Sequence, residues 1–162
     1  MNQNSKSITT TTTTVSAVET EAMGESIGRQ LKGGEVIVLS SDLGGGKTTF
    51  VRGLARGAGS ADHVASPTFT ISKMYKVPRG MEIHHFDFYR LQEAGIMRDE
   101  LAELVADPKV VVVVEWSDLV ENVLPDERLT IRLSSVAESE TTRTVTITSP
   151  ASLAYLTEGL ER

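Results

Sequence analysis

Two short stretches of the chain are apolar at nearly every position: Glu35-Val36-Ile37-Val38-Leu39-Ser40, and Lys109 to Val114. Unbroken runs of that length suit strands covered on both faces, as in a parallel sheet. Helical spacing appears on either side of the first run. Val18 to Leu31 sets Val18, Ala22, Met23, Ile27 and Leu31 on one face and stops at Gly33-Gly34. Thr48 to Ala58 sets Phe50, Val51, Leu54, Ala55 and Ala58 on one side, with Gly57 and Gly59 closing it. Phe69 to Val77 and Met81 to Phe88 flank the turn Pro78-Arg79-Gly80 and read as an antiparallel hairpin. Arg98 to Ala106 reads as a helix broken by Asp107-Pro108, and residues 122–127 (NVLPDE) as a turn. Arg128 to Ser134 and Thr142 to Thr148 alternate as two late antiparallel strands, and Pro150 is placed to start a final helix reaching about Leu160.

These elements predict an α/β domain with a central mixed β-sheet flanked by helices, covering residues 15–162. A polar, threonine-rich segment, 1–14, precedes it. Residues 1–7 read as a disordered tail. The threonine run Thr9 to Thr14 reads either as low complexity or, because threonine is β-branched, as an edge strand.

The 162 residues suffice for one domain with a real core. Without cysteine there is no disulfide, cysteine metal site or thiol nucleophile. The polar start has no apolar segment typical of a secretory signal, and the longest apolar run is too short to cross a bilayer, so a cytoplasmic protein is expected. The formal net charge of −6, with no lysine/arginine cluster, argues against nucleic-acid binding by bulk electrostatics.

The chemistry is concentrated in residues 40–50, SSDLGGGKTTF, between the first buried strand and its helix. Strand, glycine loop ending Gly-Lys-Thr, then helix is the context of a phosphate-binding P-loop. Glycines let backbone N–H groups converge on phosphate oxygens, and the helix turns its positive dipole end to the same anion. Lys47 supplies a charge for the outer phosphates, and the Thr48 hydroxyl is placed for Mg²⁺. The segment predicts a site for a nucleoside triphosphate. Ser41 stands where the pattern begins with glycine.

A nucleotide's Mg²⁺ needs further oxygen ligands, and Glu115 at the end of the second buried strand is the first candidate. Asp87 is the second, flanked by Phe86 and Phe88; Arg90 is either its partner or a surface charge. His84 and His85 are read as packing or surface residues. Ser66 and Thr68, in SPTFT, are either part of a switch loop ordered by phosphate or a turn fixed by Pro67.

Taken in order, DLGGGKTTF, SPTFT, HHFDFYRL, VVVVEW and LPDE resemble the TsaE family, small bacterial P-loop ATPases of tRNA threonylcarbamoyladenosine synthesis. The resemblance runs over roughly residues 17 to 148. It implies a P-loop NTPase fold and Mg-dependent ATP hydrolysis. The implied partner is the TsaB–TsaD pair, which modifies adenosine 37 of tRNAs reading codons that begin with A. By the same resemblance Leu43, Gly44, Gly45, Gly46, Lys47, Thr48 and Thr49 form the nucleotide loop. Thr48, Asp87 and Glu115 stand on the magnesium side, Thr68 is the switch threonine, and Trp116 is an aromatic beside the acidic strand end. Thr20 and Gly24 belong to a helix that approaches the base. The family's later arginine has no clear counterpart, Glu140 falling near its place. A small-molecule kinase and a nucleotide-gated binding module remain alternative readings.

Overall fold

The computed structural model describes residues 6–42, 44, 46–67, 70–93 and 95–160. Seven strands form one sheet: β1 (Ile8–Thr14), β2 (Val36–Ser41), β3 (Ser72–Val77), β4 (Met81–Asp87), β5 (Val110–Glu115), β6 (Leu129–Ser135) and β7 (Arg143–Ser149). Among the described residues three α-helices accompany them: α1 (Ala17–Gly28), α2 (Lys47–Gly57) and α3 (Ile96–Val105). The sheet order is β1-β7-β6-β2-β5-β4-β3. The centre is parallel, with β2 beside both β5 and β6 and β4 beside β5. The antiparallel pairs β3–β4, β6–β7 and β1–β7 make the flanks. This is the mixed sheet flanked by helices that the two unbroken apolar runs and the alternating ones called for.

Alternation along the central strands divides the core in two. Ile37, Leu39, Val111, Val113 and Ile83 join the side chains of α1 and α2 on one face. Val36, Val38, Val110, Val112, Val114 and Phe86 pack against Leu101 of α3 on the other. Every residue of β5 is buried, which explains its lack of polar positions until Glu115.

The N-terminal segment settles one alternative, and α1 and the C-terminal segment differ from the sequence reading. The polar tail read at residues 1–7 falls largely outside the described residues. The threonine run forms β1, an edge strand whose register sets Thr9 against Thr148, with the two hydroxyls 3.1 Å apart. The apolar face expected for α1 is right at Ile27, Met23 and Leu31, which pack inward, but not at Val18, which is 78% exposed, or Ala22; the buried positions of the helix are Thr20, Gly24, Ile27 and Gly28. Its partner is α2, and the crossing is so close that a Cβ on Gly24 or Gly28 would meet the backbone of Phe50 or Leu54 within 2.2 Å. Arg56 of α2 ties the two helices further by pairing with Glu21 and Glu25.

The final helix is also corrected. After Pro150 the chain makes a 3₁₀ segment, Ala151–Thr157, burying Leu153 and Leu156. Residues three apart eclipse on a 3₁₀ helix, so this spacing puts both leucines on the core side. Its Tyr155 hydroxyl donates to Glu35 Oε1 at 2.8 Å. Glu35, buried at the entrance to β2, also accepts from the backbone N–H groups of Lys32 and Gly33.

Burial, and then the Glu35 carboxylate, push the Tyr155 phenol well above its ordinary range. Burial raises Tyr75 as well. A raised folded value means that the folded state keeps a proton the unfolded chain has lost. The associated stability is fully present below about pH 10, the ordinary tyrosine value, and is lost as pH rises beyond it. Melting temperature is therefore expected to fall above about pH 10. Tyr155→Phe should lose about 1 kcal/mol at neutral pH and show a shallower alkaline decline. Thermal melts across pH check both.

Candidate functional site

The parallel strands β2, β5 and β4 are neighbours, and all three end on the same side of the sheet. Open α/β sheets bind ligands at such carboxyl ends. β2 ends at Ser41 and passes into the glycine loop; β5 ends at Glu115 and β4 at Asp87, and in the β4–β5 register these two acids are direct partners. A cleft of ≈ 260 Å³ opens there, lined by Gly44, Gly46, Lys47, Thr48, Thr49, Ser66, Asp87, Tyr89, Glu115 and Trp116. The structure thus brings the described loop residues, both acids, Ser66 and Trp116 to one place. Leu43, Gly45 and Thr68 lie outside the described residues.

The loop geometry follows from its glycines. Gly46 caps α2 at φ 98°, ψ 14°, in the left-handed region, and Gly44 also has positive φ at 77°. A side chain at either would be strained. With Gly46 as the cap, no capping side chain bonds the first amides of α2. That helix start, with Lys47 and Thr48 in its first turn, faces the cleft.

Lys47 is buried, and its Nζ donates to Ser41 Oγ at 2.8 Å. Ser41 Oγ in turn donates to the Asp42 carbonyl. The residue that departs from the P-loop pattern therefore holds the loop lysine.

Asp87 and Glu115 are 3% and 2% exposed. Asp87 Oδ1 accepts from the Tyr89 backbone N–H at 2.9 Å, and Glu115 Oε1 accepts from His85 Nε2 at 3.0 Å. Like charges opposite each other in a sheet repel, and the low surrounding dielectric strengthens that repulsion. Cations reduce it. Lys47 supplies one, and a divalent ion at the cleft would supply another. Mg²⁺ is usually held by one or two carboxylates together with phosphate oxygens and water, so two acids and the Thr48 hydroxyl are a donor set that fits it. Among the described residues no cluster of three acidic or histidine side chains forms a ready metal cage.

Three site features escaped the sequence reading. His85, expected as a packing or surface residue, is fully buried and in addition bonds Glu115. Its position two residues before Asp87 on a strand, hence on the same face, was the available signal. The Tyr89 ring packs at a tilt of 45° against Trp116, centroids 4.8 Å apart, at the cleft mouth. Trp116 itself has φ 57°, ψ 57°, an unfavourable conformation for a bulky residue and one that clusters at functional sites. A second hollow of ≈ 150 Å³ adjoins the cleft, sharing Gly44, Gly46 and Thr49, and adds Ala17, Thr20, Glu140, Thr141 and Arg143. Glu140 and Arg143 both line this hollow.

A family model described as "Threonylcarbamoyl adenosine biosynthesis protein TsaE" matches residues 14–145. The chain belongs to the TsaE family. Similar curated proteins include the Bacillus subtilis (strain 168) tRNA threonylcarbamoyladenosine biosynthesis protein TsaE, 40% identical over 83% of this chain and 82% of that protein. The Treponema pallidum protein of the same name is 37% identical over 80% of this chain and 95% of its own length. The crystal structure of Bacillus subtilis YdiB superposes with a TM-score of 0.76 at 33% identity, covering 97% of each chain. TsaE membership accounts for the P-loop architecture of the sheet. Among the described residues, no helix is long and apolar enough to cross a membrane.

Proposed function

We propose that this TsaE-family chain is a Mg-dependent ATPase that serves threonylcarbamoyl modification of adenosine 37, in tRNAs reading codons that begin with A, together with a TsaB–TsaD complex. The observation that carries the reading is the meeting of Lys47, Thr48 and two buried, directly paired carboxylates in one cleft at the ends of parallel strands. The names of the relatives support the tRNA assignment. The net charge of −6 agrees with a tRNA held mainly by the partner complex.

In this reading the amides of the loop and of the α2 N-terminus cradle the phosphate chain. Lys47 leaves Ser41 for the β/γ-phosphates and neutralises charge there. Thr48 and Glu115 would hold Mg²⁺, and Asp87 would either bind it as well or orient the attacking water. Mg²⁺ when bound supplies charge neutralisation of the phosphate oxygens, which is much of what phosphoryl transfer requires. The nucleoside end occupies the adjoining hollow beside Thr20 and Arg143. By the family resemblance, Thr68 would serve as the switch threonine.

Turnover by the isolated chain is expected to be slow and to rise when TsaB–TsaD is added. Phosphate release from ATP, with and without the pair, tests this. Fast hydrolysis indifferent to the pair, or transfer of phosphate to a metabolite in place of water, would contradict it.

A further inference from the structure

We infer that His85 is a positioning residue: it fixes Glu115 so that the remaining carboxylate oxygen is presented to a divalent ion in the cleft. The inference rests on the proposed nucleotide site and adds to it a residue that neither touches phosphate nor lines the cleft.

His85 is fully buried within β4, and Glu115 is nearly so at the end of β5. In the sheet register His85 stands opposite Val113, so Glu115 lies one step further along on the same face. The diagonal reach gives the 3.0 Å contact from Nε2 to Oε1. A carboxylate can only accept, so the proton sits on Nε2. Nδ1 is then left as an acceptor, and it has no partner among the described residues. An unpartnered buried acceptor costs free energy, and a residue chosen for packing alone would be apolar at this position. Among the described residues the ring's one hydrogen bond is to Glu115, and that bond accounts for the histidine.

The geometry also explains how one acid can be aimed. A free glutamate at a strand end samples several rotamers. With Oε1 tied to a ring locked in the core, the side chain keeps one orientation. Outer partners of metal-binding groups act in this way, and losing them typically weakens metal binding 10–100-fold.

The test uses Mn²⁺ as the probe. Its affinity for the full chain loaded with a non-hydrolysable ATP analogue is measured by electron paramagnetic resonance, beside analogue affinity in EDTA and the melting temperature. His85→Gln keeps a donor near the Nε2 position, whereas His85→Leu keeps volume without the donor. H85L is expected to weaken Mn²⁺ about tenfold or more, and H85Q to stay within about threefold of wild type. Metal-free analogue binding should be unchanged in both. Should H85L not fold, His85→Asn, which ends short of Glu115, is read in its place. Mn²⁺ affinity unchanged in a folded H85L or H85N, or lost equally in H85Q, overturns the inference while the nucleotide site stands. A wild-type chain that binds the analogue but no Mn²⁺ overturns the inference and the metal part of the proposed function. One that binds no analogue overturns the nucleotide site itself.

Discussion

Replacing Lys47 by alanine is expected to cut ATP turnover by about a hundredfold or more, with folding intact. The lysine is held by one hydrogen bond, to Ser41 Oγ, and stands at the first turn of α2 among residues that line the cleft. Phosphoryl transfer spreads negative charge over the γ-phosphoryl oxygens. A single positioned charge at that point is worth on the order of 10²–10³ in rate, as with other preorganised stabilisers of a transition state. The ring of Trp116 lies 5.7 Å from Nζ, and Asp87 and Glu115 face the same space. Removing the cation leaves these two buried acids with less compensation. For that reason the variant should also need more Mg²⁺ to reach its residual rate. Steady-state phosphate release as a function of Mg²⁺, in the presence of TsaB–TsaD, checks both expectations. Hydrolysis equal to wild type would remove Lys47 from the mechanism.

The second large effect is structural. Gly53→Ala should destabilise the fold by about 3 kcal/mol, lowering the melting temperature by roughly 10 °C. Two contributions oppose each other here. Alanine is the better helix former by about 1 kcal/mol, and on propensity alone the change would stabilise α2. A Cβ at Gly53, however, would lie 1.9 Å from the Glu21 carbonyl oxygen of α1. Backbone cannot swing aside as a flexible side chain can, so the helices must separate, and packing wins. Separation moves α1, which carries Thr20 to the hollow beside the glycine loop. Weaker nucleotide binding should therefore accompany the lower melting temperature. Thermal melts and analogue titration of the folded fraction measure the two together.

The same crossing shows why part of the structure was hidden in the sequence. A search for helical faces follows large apolar residues, and in α1 it selects Val18, which points to solvent. The true face adds two glycines and a threonine to Ile27, and at the glycines close backbone contact does what side-chain volume does elsewhere. The strand–loop–helix unit was legible because its three parts are adjacent in the chain and each has its own signature. Glu115 was legible because it ends an otherwise unbroken apolar run, and Asp87 because a charge between two phenylalanines needs a reason. That these acids are direct register partners was not legible, because the pairing of β4 with β5 is set across the sheet. His85 was missed for a similar reason: its partner lies 30 residues away in sequence and one step along the neighbouring strand. The C-terminal segment was misread because a proline followed by leucines three apart serves a 3₁₀ turn as well as a helix start. The choice between them is made by packing and by the Tyr155–Glu35 bond.

The most direct measurement is a crystal structure of the chain grown with Mg²⁺ and a non-hydrolysable ATP analogue. The triphosphate should lie across the amides of the loop and the first turn of α2, with Lys47 turned from Ser41 to the phosphates. The metal should be held by the Thr48 hydroxyl with Glu115 and Asp87 on its protein side. A nucleotide bound elsewhere, or an ion that none of these side chains approaches, would contradict the account.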